Sequence, residues 1–249
     1  MLTSPPHLRV MTYNVHGCVG MDAQQDEKRI ADVIATFQPD VVALQELDVA
    51  RSRSRGVDQA RILADRLKMN FYFHPALSHL SEHYGDAILS RLPMTLVKKG
   101  ILPTTTSRLA FEPRGALLVR LEVDGQPVFL LNTHLGLSWD ERLAQTEALL
   151  GPEWMGRPGG QARFILCGDL NAIPGSLVHR TFKSRLQDVQ SWTFLTRPRA
   201  TFPSRMPLVR LDYIFINEGL AVQDVQVPNN MLTRNASDHL PLIADLVLA

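Results

Sequence analysis

Cysteine is nearly missing from this 249-residue chain, which carries only Cys18 and Cys167. Two thiols cannot build a disulfide framework, and their scarcity fits a reducing compartment. Both stand in apolar, strand-like contexts, where a lone cysteine packs as a small hydrophobe. A surplus of one charge is lacking too: the formal net charge is +1, so no global basic field announces nucleic acid. No apolar run approaches the ~20 residues a membrane helix needs. Met1-Leu2-Thr3-Ser4-Pro5-Pro6 has no charged segment leading into an apolar stretch, so no signal peptide is visible. These absences predict a soluble, cytoplasmic protein with no stable membrane insertion and no stated protein partner. CxxC and HExxH patterns are missing, which removes the familiar zinc sites. The missing GxGxxG leaves a nucleotide-cofactor or redox enzyme without support.

What is present suffices for one sizeable core, since 45% of the residues are hydrophobic. No linker, repeat or low-complexity stretch divides the chain, and residues 1–249 read as a single domain. Residues 8–13 form an apolar run that stops at Asn14-Val15-His16-Gly17. Ile30, Val33, Ile34 and Phe37 fall at helical spacing, and Gln38-Pro39-Asp40 ends that helix. Residues 41–44 are a buried-strand run with Gln45-Glu46 at its carboxyl end. A helix over 58–67 and strands over 70–74, 87–90 and 96–101 follow. Asp124-Gly125 signals a hairpin between strands 115–123 and 128–132. Ser138 and Glu141 have capping-box spacing at the start of a helix. Residues 151–160 read as a loop, 163–167 as a strand ending in Gly168-Asp169-Leu170-Asn171, and 211–216, 221–227 and 240–248 as strands. Strands outnumber helices, which predicts two packed sheets with helices on their outer faces.

Several polar residues close these apolar runs. His239, in Ser237-Asp238-His239-Leu240-Pro241, is suited to taking a proton from water near neutral pH. Asp238 beside it can hold a divalent metal or fix the ring. Glu46 is either solvated in a loop or aimed into a site, where a carboxylate suits Mg²⁺, with Mn²⁺ as a substitute. Gly168 allows a sharp turn after its strand, and Asp169 and Asn171, two apart, can face one side. Asp169 then orients an attacking water and the Asn171 amide donates to a phosphoryl oxygen. The alternative is an Asp-x-Asn turn closed by its own hydrogen bonds. His134 in isolation reads as structural, and in a phosphoesterase as a donor to developing charge. Asp212 is embedded in an apolar strand, where an unpaired carboxylate is costly, so it needs a partner. Arg210 is the structural candidate. His239 is the functional one, with Asp212 holding its tautomer.

Seven motifs run in order along the chain: Thr12-Tyr13-Asn14, Gln45-Glu46, Gly85-Asp86-Ala87-Ile88-Leu89-Ser90, Thr133-His134-Leu135, Gly168-Asp169-Leu170-Asn171, Leu211-Asp212-Tyr213-Ile214 and Ser237-Asp238-His239. Together they resemble the endonuclease/exonuclease/phosphatase superfamily, from about residue 8 to the C-terminus. The resemblance implies an α/β fold: a four-layered αββα sandwich of two mainly antiparallel sheets with outer helices and the site at one edge. It implies Mg²⁺, with Glu46 as principal ligand and Asn14 and Asp238 close to metal or phosphate. It casts His239 with Asp212 as general base, Asp169 and Asn171 as orienting groups, and His134 as a stabiliser of the transition state or leaving group. Whether His239 or Asp169 takes the proton stays open. Many members give the His134-like residue a carboxylate partner, for which Asp86 and Glu82 are the candidates here. His16 replaces an aspartate of the nucleic-acid-repair branch, which speaks against an abasic-site endonuclease. Arg199-Ala200-Thr201-Phe202-Pro203-Ser204 resembles a small bacterial subgroup, in which Arg114 is a phosphate clamp or a surface ion pair.

The function so implied is a metal-dependent phosphodiesterase, with DNA or RNA the first candidate substrate. Phospholipid headgroups and inositol or sugar phosphates are the alternatives, and an inactive binding module the remote one. Arginines cluster at 51, 53, 55, 61 and 66 and at 197, 199, 205 and 210. They read as a solvated face or, for 51–55, as a track for a polyanion. A rim loop over 76–85, with His74, His79, His83 and Tyr84 around it, reads as a second determinant of specificity.

Overall fold

The computed structural model describes residues 6–104, 112–156, 162–191 and 198–249. In chain order the elements are β1 (His7–Asn14), α1 (Glu27–Phe37), β2 (Val41–Val49), α2 (Gln59–Leu67), β3 (Asn70–His79), β4 (Glu82–Ser90) and β5 (Met94–Ile101). Then come β6 (Gly115–Val123), β7 (Gln126–His134), α3 (Trp139–Leu150), β8 (Arg163–Asp169), α4 (Leu177–Lys183) and β9 (Gln187–Asp188). The chain closes with β10 (Asp212–Ile216), β11 (Leu220–Gln226), α5 (Met231–Ala236) and β12 (Leu242–Leu248). One sheet has the order β11-β12-β1-β2-β4-β3 and the other β5-β6-β7-β8-β10-β9. Pairing is antiparallel apart from β1 with β2 and β7 with β8. Each parallel pair encloses a helix, α1 in the first and α3 in the second, as a crossover requires.

Both faces of the central strands are buried, and alternation sorts their side chains between two environments. Leu8, Val10, Val41, Ala43, Leu130, Ile165, Cys167 and Ile214 fill the space between the sheets. Met11, Tyr13, Val42 and Leu44 point the other way, onto α1 and α2 through Ile30, Ile34 and Leu63. Leu131, Leu166, Tyr213 and Phe215 lie against the outer layer of the second sheet with Leu149 and Phe182. The resulting four layers are the sandwich expected from the sequence.

The inward-facing series does not stay apolar. Counting in twos, β1 runs Leu8, Val10, Thr12, Asn14, and β7 runs Val128, Leu130, Asn132, His134. β8 runs Ile165, Cys167, Asp169, and β10, antiparallel to it, delivers Asp212 opposite Asp169. The inter-sheet core is thus hydrocarbon at one end and polar at the other. Buried Gln45 and Asn132 mark the change: Gln45 Nε2 donates to Asn132 Oδ1 at 2.7 Å, while Asn132 Nδ2 donates to the carbonyls of Leu44 and Ala87, both at 2.9 Å. These contacts pair the Asn132 amide and the Gln45 Nε2 and tie the two sheets together just below the site.

Local readings need four corrections. Residues 76–85 are hairpin rather than loop, because β3 and β4 continue pairing as far as His79 opposite Glu82. Ser138 does precede α3, but its side chain makes no capping hydrogen bond, so the capping box is not formed. Cys167 lies in a strand as expected, whereas buried Cys18 closes a single helical turn after β1. The short helices α4 and α5 had no signal strong enough to be read from the sequence. Part of the predicted loop 151–160, and Arg197, fall outside the described residues.

Candidate active site

The polar end of the core opens into a cavity of about 560 Å³ lined by Glu46, Arg114, His134, Asp169, Asn171 and His239, with Phe202, Leu137 and Tyr84 among its walls. Asn14 stands at its base, where Nδ2 donates to Glu46 Oε1 at 2.9 Å and to Asp169 Oδ2 at 3.0 Å. A local irregularity brings Glu46 there. The β2–β4 register shifts between Leu44 and Leu47, and Glu46 takes a left-handed φ of 63°. Such a bulge re-aims a side chain that strict alternation would send to the opposite face. The backbone N–H of Glu46 lies against buried Asp86, whose carboxyl is pushed up to about 7 by burial despite opposition from Arg114.

His239 Nδ1 lies 2.8 Å from Asp212 Oδ2, and its Nε2 lies 3.6 Å from Asp169 Oδ2. The two candidate partners of Asp212 are thereby distinguished: Arg210 bonds Asp188 at 2.6 Å instead, and His239 takes Asp212. Thr201 Oγ1 accepts from the Leu211 and Asp212 amides, and the Phe202 ring centroid lies 4.9 Å from that of His239. Burial opposes charge on His239, but Asp212, through charge and hydrogen bond, outweighs it with help from Asp169 and Asp238, and the imidazole is pushed up to about 10. Burial, opposed by His239 and reinforced by Asp212, raises Asp169 to about 7.

His134, on the end of β7, has Arg114 Nη1 3.2 Å from Nδ1 and Asn171 Nδ2 3.1 Å from Nε2. Neither carboxylate suggested for it reaches this ring among the described contacts. Glu82 accepts from the Ser52 amide and approaches Arg51, while Asp86 sits opposite His74 in the β3–β4 ladder. Arg114, read as a phosphate clamp or a surface pair, is buried rather than on the surface, lines the cavity and is directed at the histidine, with Glu112 at 3.5 Å. Asn171 has a left-handed φ of 46° and closes the Asp-x-Asn turn by donating its N–H to Asp169 Oδ1 at 2.9 Å. The turn and the site are therefore one feature. Its amide also donates to the Leu135 carbonyl at 3.0 Å, bracing His134. Gly168 proves necessary for a close approach rather than a turn, since a Cβ there would lie 1.8 Å from the Thr133 carbonyl oxygen.

Asp238 reaches the site edge beside His16, at 3.8 Å. Ser237 Oγ donates to the Asn14 carbonyl, which ties the segment carrying Asp238 to the end of β1, while Glu46 accepts from the Asn14 amide. These hard oxygen donors, partly open to water, fit a cation that keeps much of its hydration shell. Asp169, Asp212 and His239 also place one ligand atom each within 4.8 Å of one another. There the 2.8 Å bond between His239 and Asp212 occupies the facing atoms, which suits a proton relay better than an ion.

The arginines of 51–55 do not form a free track. Arg53 grips Asp48 through two bonds of 2.8 Å, Arg51 approaches Asp48 and Glu82 at 3.6 and 3.9 Å, and Arg55 bonds Glu27 at 3.0 Å. Arg51 and Arg53 also pack over Tyr84. Asp48, Tyr84, Glu112 and Phe202 are cavity-wall residues that the sequence reading did not single out as functional, apart from Tyr84 at the rim. Only position in the fold gives them that place.

The sandwich, with a polar cavity built from strand ends, defines a phosphoesterase-type scaffold. The model of the endonuclease/exonuclease/phosphatase family matches residues 11–239, and the chain belongs to that family. Among its relatives, the Escherichia coli K12 protein YbhP is 27% identical over 251 residues, with 96% of each chain covered. Among solved structures, an endonuclease/exonuclease/phosphatase protein of Beutenbergia cavernae superposes with a TM-score of 0.77 at 26% identity, covering 98% of this chain and 72% of that one. The human nocturnin catalytic domain, solved with bound sulfate, gives a TM-score of 0.74 at 25% identity, covering 98% and 94%. No helix among the described residues is long and apolar enough to cross a membrane.

Proposed function

We propose that this chain hydrolyses a compact phosphate ester, a small phosphodiester first, with His239 as the base that takes the proton from water. The observation that carries the reading is the buried pair of His239 Nδ1 and Asp212 Oδ2 at 2.8 Å, which leaves Nε2 facing Asp169 and the cavity. Held on its Nδ1 side, the ring can accept a proton only at Nε2, where an attacking water would sit. Because the imidazole is raised to about 10, only its deprotonated fraction can do so, and turnover should climb as pH rises from neutral to alkaline. Asp169 lies on the same side and orients that water. Glu46, Asn14 and Asp238 would hold Mg²⁺, which when bound supplies charge to the phosphoryl group and lowers the cost of its developing negative charge. His134 and Arg114 add donors on the opposite wall.

The cavity has the size of a small-molecule site. The arginines that would follow a polynucleotide already face Asp48, Glu82 and Glu27. Both facts favour a small ester over DNA or RNA. The test is hydrolysis by purified protein with Mg²⁺ of four substrates: a nucleotide or sugar phosphodiester, an inositol phosphate, a phospholipid and a single-stranded oligonucleotide. EDTA and His239→Ala serve as controls. Turnover of a soluble small ester, lost in both controls, is expected. Activity confined to the oligonucleotide or the phospholipid would overturn the substrate assignment, and turnover that survives His239→Ala would overturn the base.

A further inference from the structure

His134 stands between two hydrogen-bond donors, Arg114 at Nδ1 and Asn171 at Nε2. A neutral imidazole offers one N–H and one lone pair, and an imidazolium offers two N–H groups. The ring therefore cannot accept from both neighbours. The guanidinium is a donor at every accessible pH, so Nδ1 must present its lone pair and Nε2 must carry the proton. Asn171 cannot adapt by reversing its amide. Its Nδ2 is held 3.0 Å from the Leu135 carbonyl, and a reversed amide would set two oxygens against each other. The next acceptor near Nε2, Asp169 Oδ2, is 3.7 Å away and too far for a hydrogen bond. The N–H is thus left for whatever occupies the cavity that His134, Asp169 and Asn171 line together.

We infer that Arg114 is the positioning residue that locks His134 as a neutral Nε2–H tautomer. On the reading above, that N–H is a fixed donor to a phosphoryl oxygen. The assignment reverses the one a carboxylate partner would impose, since a carboxylate at Nδ1 would draw the proton there and favour the imidazolium. The charged groups facing the ring are Arg114 with Glu112 behind it, Asp169, and His239 across the cavity. Burial, Arg114 and His239 all oppose a second proton, holding His134 well below the ordinary histidine range.

The test is long-range ¹H–¹⁵N correlation on the full chain labelled at histidine, with the His134 signals identified by their loss in His134→Gln. Wild type should show an unprotonated Nδ1 and a protonated Nε2, unchanged as pH falls through the ordinary value of about 6.5. Arg114→Met should lose the lock, giving averaged tautomers in which Nδ1 carries the proton part of the time, and Arg114→Lys should restore most of it. A protonated Nδ1 in wild type, or an unchanged spectrum in a folded Arg114→Met protein, would overturn the inference. Should Arg114→Met fail to fold, the wild-type and Arg114→Lys spectra decide it. Because no turnover is read, an inactive substrate panel would count against the proposed function and leave the tautomer assignment standing.

Discussion

At the residue scale, the site depends on how a few buried groups share protons. Asp212 has one purpose that burial makes visible: it holds His239 Nδ1 and favours its charged form. Asp212→Asn keeps the shape and removes the charge, so kcat should fall by about 10²–10⁴ with KM little changed, as steady-state kinetics on a responsive ester would show. The raised value also has a sign for stability. A histidine raised to about 10 contributes stabilisation that is fully present below its unfolded value of about 6.5 and is lost as pH rises through about 10. Asp169, raised to about 7, acts in the same direction across neutrality. Without metal, the urea midpoint should therefore decline from neutral to alkaline pH, and Asp212→Asn should flatten that slope. A divalent cation competes with those protons, so Mg²⁺ should bind more tightly as pH rises from about 6 to about 9. Calorimetric titration at the two pH values would reveal it, and a pH-independent affinity would argue against a cation site beside these groups.

At the scale of elements, two backbone features aim the chemistry. The bulge at Glu46 turns a carboxylate inward against strand alternation, and its left-handed backbone is the kind of strain found at functional positions. Gly168 lets β7 and β8 approach so that His134 and Asp169 stand side by side in register. Gly168→Ala should therefore destabilise by about 1–3 kcal/mol or more, because backbone rather than a flexible side chain stands in the way. It should also abolish activity, as the displaced strands carry both residues. Denaturant unfolding and turnover measured on one preparation would check this, and full activity with an unchanged midpoint would show that the strands part freely. The glycine was conspicuous in the sequence, but its reason was not. A turn is a local property, whereas the Thr133 carbonyl comes from a different strand.

At the scale of the whole molecule, one inter-sheet layer is a hydrophobic core at one end and a site at the other. Truncations at the apolar end should cost stability without touching chemistry. Leu130→Ala, fully buried between the sheets, should lower stability by about 2–5 kcal/mol and leave kcat per folded molecule unchanged. Surface charge is largely neutralised within the molecule around residues 51–55. Turnover of a small ester should therefore depend weakly on salt, where a polynucleotide substrate would show a steep loss of affinity.

The sequence by itself determined the alternation that places Asn14, His134, Asp169 and Asp212 on one inward face. It also determined the order of the strands that carry them, because a period of two and an apolar run are local properties. The family's motifs were legible for the same reason: each is a few consecutive residues. Only the tertiary structure chose partners. Asp212 took His239 over its near neighbour Arg210, and His134 took Arg114 in place of a carboxylate. The arginines of 51–55 found Asp48, Glu82 and Glu27 as partners, with Arg53 and Arg55 still exposed to solvent. Those choices join side chains from separate elements, and they follow from strand register and sheet packing, which bring together groups that no local periodicity relates.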